Sequence, residues 1–269
     1  MQVTELTDRT LDADLDLLRD AAREAAELAM RYFRRDPQVW MKAGNSPVTE
    51  GDLAVDKLLR DRLSAARPDY GWLSEETADS PGRLSAARTF VVDPIDGTRG
   101  FIAGSDEWCV SVAIVEKGRP VAGVLDCPAK TEIYAARAGG GAVRNGKAIG
   151  VREAAGELRV GGPKALIAAM PERSRSRFVN VPYIPSLAYR LAMVASGRID
   201  ATFIKANSHD WDLAAADLIL AEAGGAVLDR RGETPFYARR ETRHGTLVAG
   251  SGSLLGEMAQ SIRDMENGS

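Results

Sequence analysis

Cysteine, histidine and aromatic side chains are all scarce in this chain: of 269 residues two are Cys (Cys109 and Cys127), two are His (His209 and His244), and 6% are aromatic. Both cysteines sit in or beside apolar runs, the setting of reduced, buried thiols and not of a disulfide framework or a thiolate metal site. The low aromatic content, with no cationic run beyond pairs such as Arg230-Arg231 and Arg239-Arg240, argues against a nucleic acid polymer as partner. No run approaches the ~18 apolar residues that span a bilayer, and no basic-then-apolar segment of the signal-peptide kind is present, so the expected location is the cytoplasm, with no membrane partner. A net charge of -3 and a pI near 5.6 give no general attraction for anions. Any phosphate must therefore be held by a local site.

What is present is ordinary globular material, 45% hydrophobic and 27% charged, enough for one large domain or two small ones. Leu11, Leu15, Leu18, Ala22, Ala25, Ala29 and Tyr32 recur at helical spacing and predict a helix over about 10–35, with acids early and Arg34 and Arg35 late. A second helix is expected after Asp52, with Val55, Leu58, Leu59, Leu63 and Ala66 on one face and Pro68 as its stop. From Phe90 the texture turns to short β-rich runs, 90–92, 108–115, 121–125 and 133–136, which read as a meander. Gly139-Gly140-Gly141 precedes no GK[ST] and opens no helix, so it reads as a hairpin loop. Beyond about 153, helical stretches near 186–196, 212–223 and 253–263 alternate with strands at 201–204, 226–228 and 247–249, and 171–177 reads as an exposed loop. The fold class expected is α/β, with an α+β N-terminal part over 1–153 and an α/β C-terminal part over 154–269.

The densest chemical signal is Asp93-Pro94-Ile95-Asp96-Gly97-Thr98, directly after the apolar Phe90-Val91-Val92. Two carboxylates leave a strand end together. Pro94 keeps Asp93 extended, and Gly97 removes a side chain where a ligand would approach the main chain. A helix turn starting at Gly97 or Thr98 would aim unpaired N–H groups at an anion. Three other acidic elements also stand at element boundaries: Glu75-Glu76 after Trp72-Leu73, Asp52 at a helix start, and Asp210-Trp211-Asp212 before an apolar helix. Singly, each also suits a helix cap or a solvated acid. Converging, they would repel one another and take up protons unless a cation joined them, and an all-oxygen set favours Mg²⁺. Magnesium ions polarising a phosphoryl oxygen would make the site a phosphate-ester hydrolase.

In this order the strings resemble those of the inositol monophosphatase family: Pro47-Val48-Thr49 before Asp52, Glu75-Glu76, the D-P-I-D-G-T run at 93–98, and Trp211-Asp212 before a helix ending Glu222-Ala223-Gly224-Gly225. The resemblance implies a layered α-β-α-β-α, sugar-phosphatase-like fold, commonly a homodimer, sensitive to Li⁺. It also implies two Mg²⁺ and room for a third. One would be held by Glu75, Asp93 and the Ile95 carbonyl, the other by Asp93, Asp96 and Asp212. Thr98, oriented by Asp52, would position the attacking water, and the Gly97 and Thr98 amides would hold phosphate.

The substrate would be a small phosphorylated metabolite, either an inositol monophosphate or a 3'(2'),5'-bisphosphate nucleotide. Histidinol phosphate or another sugar phosphate, and a metal-binding homologue without turnover, are the alternatives. Where the inositol enzymes carry a Glu seven residues before the Trp-Asp aspartate, this chain has Lys205. With Arg99 and Arg190 it would form a seat for a second phosphate. His209 is expected at the rim without acid–base duty, Trp211 as packing behind Asp212, and the loop over about 34–50 is a candidate gate.

Overall fold

The computed structural model describes residues 2–42 and 46–267. Gly44 and Asn45, central to the loop read as a gate, fall outside the described residues. Helix α1 (Gln2–Met30) is followed by the hairpin strands β1 (Val39–Met41) and β2 (Pro47–Thr49) and by α2 (Glu50–Ala66). A seven-stranded sheet comes next: β3 (Gly71–Ser74), β4 (Arg88–Asp96), then after the short helix α3 (Thr98–Ile102) the strands β5 (Cys109–Glu116), β6 (Arg119–Cys127), β7 (Glu132–Arg137), β8 (Ala142–Arg144) and β9 (Lys147–Ala148). Its order is the order of the chain; β3 runs parallel to β4 and every later neighbour is antiparallel, the expected meander.

The second sheet is five-stranded and mixed. It takes β10 (Leu158–Gly161), β11 (Phe178–Asn180), β12 (Ala201–Ile204), β13 (Ala226–Asp229) and β14 (Leu247–Gly250) in the order β11-β10-β12-β14-β13. Helices α4 (Lys164–Ala168), α5 (Glu172–Arg175), α6 (Leu187–Ala195), α7 (Asp210–Glu222) and α8 (Gly252–Asn267) complete the chain.

Alternation along the strands builds the layers, because successive side chains of a strand point to opposite faces. Phe90, Val92, Val110, Val112, Ile114 and Val124 join Leu18, Ala22, Ala25, Val55 and Leu59 of α1 and α2 in one core. Their neighbours Val91, Ala113, Val115 and Leu125 face the other way and pack with Ala188, Leu191, Leu213 and Leu218 of α6 and α7. Those two helices also bury Ile204, Val227, Leu247 and Ala249 of the second sheet, whose far face holds α8 through Met258 and Ile262. The order of layers is α-β-α-β-α. Helix α7 is buried along its length from Leu213 to Leu220, since it lies between two sheets.

Three local readings need correction. Helix α1 starts earlier and stops at Met30, so Arg34 and Arg35 lie beyond its last turn; Arg34 has φ 59° and donates instead to Gly104 O and Asp106. Helix α2 starts before Asp52, because Thr49 caps it and Asp52 is its third residue. The 171–177 loop contains the turn of helix α5 and buries Ser174, which donates to Glu257 of α8. The glycine triplet is a turn between β7 and β8, and the N–H groups of Gly139 and Gly141 clasp the Glu222 carboxylate at 2.7 and 2.8 Å. The anion it clasps is supplied by the chain itself.

Candidate metal and phosphate site

Strand β4 ends in Asp93 to Asp96, and Gly97 turns the chain with φ 95° into α3. A side chain is barred at Gly97 by that angle and also by Ser186, whose N, Cα and Cβ lie 3.1 Å from where a Cβ would sit. The space a side chain would need at Gly97 is therefore taken by Ser186, the cap of α6. Asp96 makes the same junction: its Oδ2 accepts from the Ser186 hydroxyl and from Ala188 N–H at 2.7 Å. A carboxylate from one sheet thus sits on the positive end of a helix that packs on both.

Asp93, Asp96 and Asp212 each offer a carboxylate oxygen, and these atoms lie within 4.8 Å of one another. Asp212 reaches this point because α7 begins at Asp210, with the His209 N–H donating to Asp212 Oδ2 at 2.7 Å. Asp93 Oδ1 accepts from Ile95 N–H at 3.1 Å, while its Oδ2 is buried with no partner. Burial pushes the Asp93 carboxyl well above the usual range, and Glu75, Asp96 and Asp212 push it further. Asp212 is driven up in the same way, by burial first and by Asp96 next. Asp96 rises only to about 6, because burial is opposed by the Ser186 and Ala188 hydrogen bonds.

Glu75 stands beside this triad and outside it. It follows β3, tied by its N–H to Val92 O, and its carboxylate accepts from Lys42 Nζ at 2.8 Å. The same ammonium reaches Glu76 at 2.8 Å. Burial alone would lower the Lys42 pKa; the two glutamates outweigh it and raise it. Lys42 was missed in the sequence because nothing local marks it: its partners lie 33 and 34 residues away.

Asp52 is 1% exposed and works through both oxygens. Oδ2 accepts from the N–H and hydroxyl of Thr49, and Oδ1 lies 3.2 Å from Thr98 Oγ. Thr98 Oγ is also 3.1 Å from the Ile95 carbonyl, so its single proton has two acceptors to choose between. Burial raises the Asp52 carboxyl to about 6. The T-x-x-D spacing of Thr49 to Asp52 is a capping-box signal that would have placed Thr49 here.

The substrate-side cations are less unified. Arg99 on α3 and Lys205 just after β12 are exposed. Arg190 on α6 turns inward: Nη2 donates to Phe203 O at 3.4 Å, and Nε is buried with no partner. Burial lowers its pKa, with Asp96 opposing. His209 stacks on Trp211 at 4.5 Å and 6°, and its Nε2 accepts from Arg243 Nε at 3.2 Å. Burial and then Arg243 lower its pKa. Trp211 is half-buried, packed against the shared core as well as the imidazole.

A buried, partnerless carboxylate oxygen among three aspartates is the chemistry of a site for a hard cation, since oxygen-only donors suit Mg²⁺ and uncompensated charge is costly in the interior. Beside it lie a threonine hydroxyl oriented by a carboxylate and an α-β-α-β-α frame, which together define a class of metal-dependent phosphatases. The profile of the inositol monophosphatase family matches residues 11–266, and the chain belongs to that family.

The chain is 34% identical to a histidinol-phosphatase of Chlorobaculum parvum over 81% of its length and 86% of the relative's. It is 32% identical to an inositol-1-monophosphatase of Mesorhizobium japonicum, covering 93% and 96%. It is 31% identical to the 3'(2'),5'-bisphosphate nucleotidase CysQ of Aggregatibacter actinomycetemcomitans, covering 83% and 87%. Among solved structures, the IMPase of Thermotoga maritima superposes with a TM-score of 0.80 at 30% identity over 97% of this chain and 99% of its own. Three substrates are named among relatives of nearly equal identity, so overall similarity leaves the substrate open and the site must choose it.

Proposed function

We propose that the protein is a Mg²⁺-dependent phosphomonoesterase whose substrate is a small metabolite bearing a second anionic group, of the bisphosphorylated nucleotide class. The observation that carries the hydrolase reading is the partnerless Asp93 Oδ2 within reach of Asp96 and Asp212. Asp93, Asp96 and Asp212 would hold one cation, and Glu75, Asp93 and the Ile95 carbonyl another. Bound there, Mg²⁺ supplies Lewis-acid stabilisation of charge on the transferred phosphoryl group and its leaving oxygen.

The chain's own residues do the rest. Ionised Asp52 would accept a hydrogen bond from the Thr98 hydroxyl, which keeps its proton and turns its oxygen lone pairs toward a water, orienting that water for in-line attack. The Gly97 and Thr98 amides at the start of α3 face the phosphate oxygens.

The second anionic group rests on Arg190 and Lys205. Arg190 carries an unused, buried donor, and Lys205 replaces the acidic residue of the inositol enzymes with a cation. Phosphate release from adenosine 3',5'-bisphosphate and from inositol-1-phosphate, side by side with Mg²⁺ and with EDTA, tests both parts. The nucleotide should turn over with the higher kcat/KM, and EDTA should stop both reactions. Lys205→Glu should cost the nucleotide tenfold or more in kcat/KM, since a charge-assisted hydrogen bond contributes about 1.5–3 kcal/mol, and should spare inositol phosphate. Equal losses on the two substrates would remove Lys205 from the recognition surface.

A further inference from the structure

The acidic site draws on segments far apart in the chain, Glu75 to Asp96 on one side and Asp212 on the other, and one buried side chain bridges them. Arg83 lies on the short 3₁₀ turn Pro81–Ser85, between β3 and β4. Its side chain is 2% exposed. Nε and Nη2 form a two-pronged bond to Asp79 at 2.6 and 2.8 Å, while Nη1 donates to Ala238 O at 2.8 Å and Nη2 to Arg239 O at 2.9 Å. The carbonyls are 155 and 156 residues away in sequence. Gly71 makes the seat: a Cβ there would lie 2.8 Å from Arg83 Cβ.

Ala238 is held from both sides. Its carbonyl takes Arg83, and its N–H donates to Asp210 Oδ2 at 2.7 Å; the residue itself sits at φ 56°, a conformation that a non-glycine residue keeps only when its surroundings fix it. Asp210 is fully buried, its other oxygen is 2.7 Å from His244 Nε2, and its N–H donates to Thr242 O. Asp210 is the first residue of α7, and Asp212 is the third. An unbroken path of bonds therefore runs from Asp79 through Arg83, Ala238 and Asp210 to the turn that aims Asp212 at Asp93 and Asp96.

We propose that Arg83 is a positioning residue for the metal site: by fixing the 238–239 peptide groups it fixes the start of α7, and so the place of Asp212 relative to the carboxylates of β4. It touches neither substrate nor metal. Arginine is required because four N–H groups are used in a plane, which a lysine cannot supply.

This inference rests on the metal-site reading above, and the test separates the two. Mg²⁺ is titrated by calorimetry into the wild type, Arg83→Lys, Asp212→Asn and Arg152→Lys, each well below its own Tm. Arg152 makes a comparable two-pronged bond, to Asp200 beside the second sheet, and serves as the structural control. Arg83→Lys should weaken Mg²⁺ binding about tenfold or more, the usual size of effect for residues that orient ligands, with saturating Mg²⁺ restoring most of the turnover. Arg152→Lys should lower Tm without changing affinity.

Unchanged affinity in Arg83→Lys, or an equal loss in Arg152→Lys, overturns the positioning role. Unchanged affinity in Asp212→Asn overturns the site reading itself. Should Arg83→Lys fail to fold, Asp79→Ser, at a half-exposed position, removes the two bonds that aim the guanidinium at the 238–239 carbonyls and is held to the same outcomes.

Discussion

Asp93→Asn is expected to abolish turnover and, in the same molecule, to raise the melting temperature measured in EDTA. The two effects share one cause. Asp93 Oδ2 has no partner, and Glu75, Asp96 and Asp212 all oppose its charge. Replacing the carboxylate by an amide removes buried repulsion that the metal-free fold must otherwise carry or relieve by binding protons. The same change takes away the negative charge and one of the two oxygens of the residue that the proposed reading places at both cation positions. Metal stabilisation of the transition state contributes several kcal/mol, and each 1.36 kcal/mol is tenfold, so kcat should fall by about three orders of magnitude or more. Melting curves in EDTA and steady-state rates in Mg²⁺ report the two signs separately. A variant that melts lower than wild type, or one that keeps its rate, contradicts the argument.

The second large effect is the dependence of Mg²⁺ stabilisation on pH. Burial lifts the Asp52 and Asp96 carboxyls to about 6 in the folded state and drives Asp93 and Asp212 well above the usual range, against an unfolded value of about 3.9. A raised pKa means that the folded state holds protons the unfolded chain has released. The stability these groups lend is complete below about pH 4 and is lost as pH rises through 6 and beyond. Without metal, Tm should therefore fall as pH rises from about 4 through 6.

On the proposed reading Mg²⁺ would act in the opposite sense, since it would bind the ionised carboxylates and compete with protons. At a hundredfold excess over Kd it contributes about 2.7 kcal/mol. For a chain of this size that corresponds to about 5–10 °C, using the roughly 2–4 °C per kcal/mol of somewhat smaller proteins. The difference in Tm between Mg²⁺ and EDTA should be large near pH 8 and small near pH 5. A difference that is flat across this range, or largest in acid, would mean that these aspartates do not hold the ion.

Much of this was legible before the fold was known, for a physical reason. Asp93 to Thr98 carry their geometry in consecutive residues, because Pro94 and Gly97 dictate the backbone locally and the preceding apolar run is a buried strand. The strands at 201–204 and 226–229 were read nearly to their ends, being short and flanked by polar turns. What stayed hidden is what depends on distant partners. Lys42 meets Glu75 and Glu76, Ser186 meets Asp96, and Arg83 meets the 238–239 carbonyls, and in none of these does spacing in the chain predict contact. Helix α7 shows why periodicity runs out: with a sheet on each side its apolar residues are not confined to one stripe, so only its acidic start and its Gly-Gly end mark it.

That doubly covered helix also bears on how the molecule comes into being. An emerging chain can assemble α1, α2 and the seven-stranded meander from neighbours in sequence, but the groove that receives α7 has its second wall only after β13 and β14 have been made. Until then an apolar rod from Leu213 to Leu220 has no complete berth. Fragments that stop short of β14 should accordingly be sticky and chaperone-dependent. Asp212 rides at the head of that rod, so the cluster gains its third carboxylate only when the groove that seats α7 is complete.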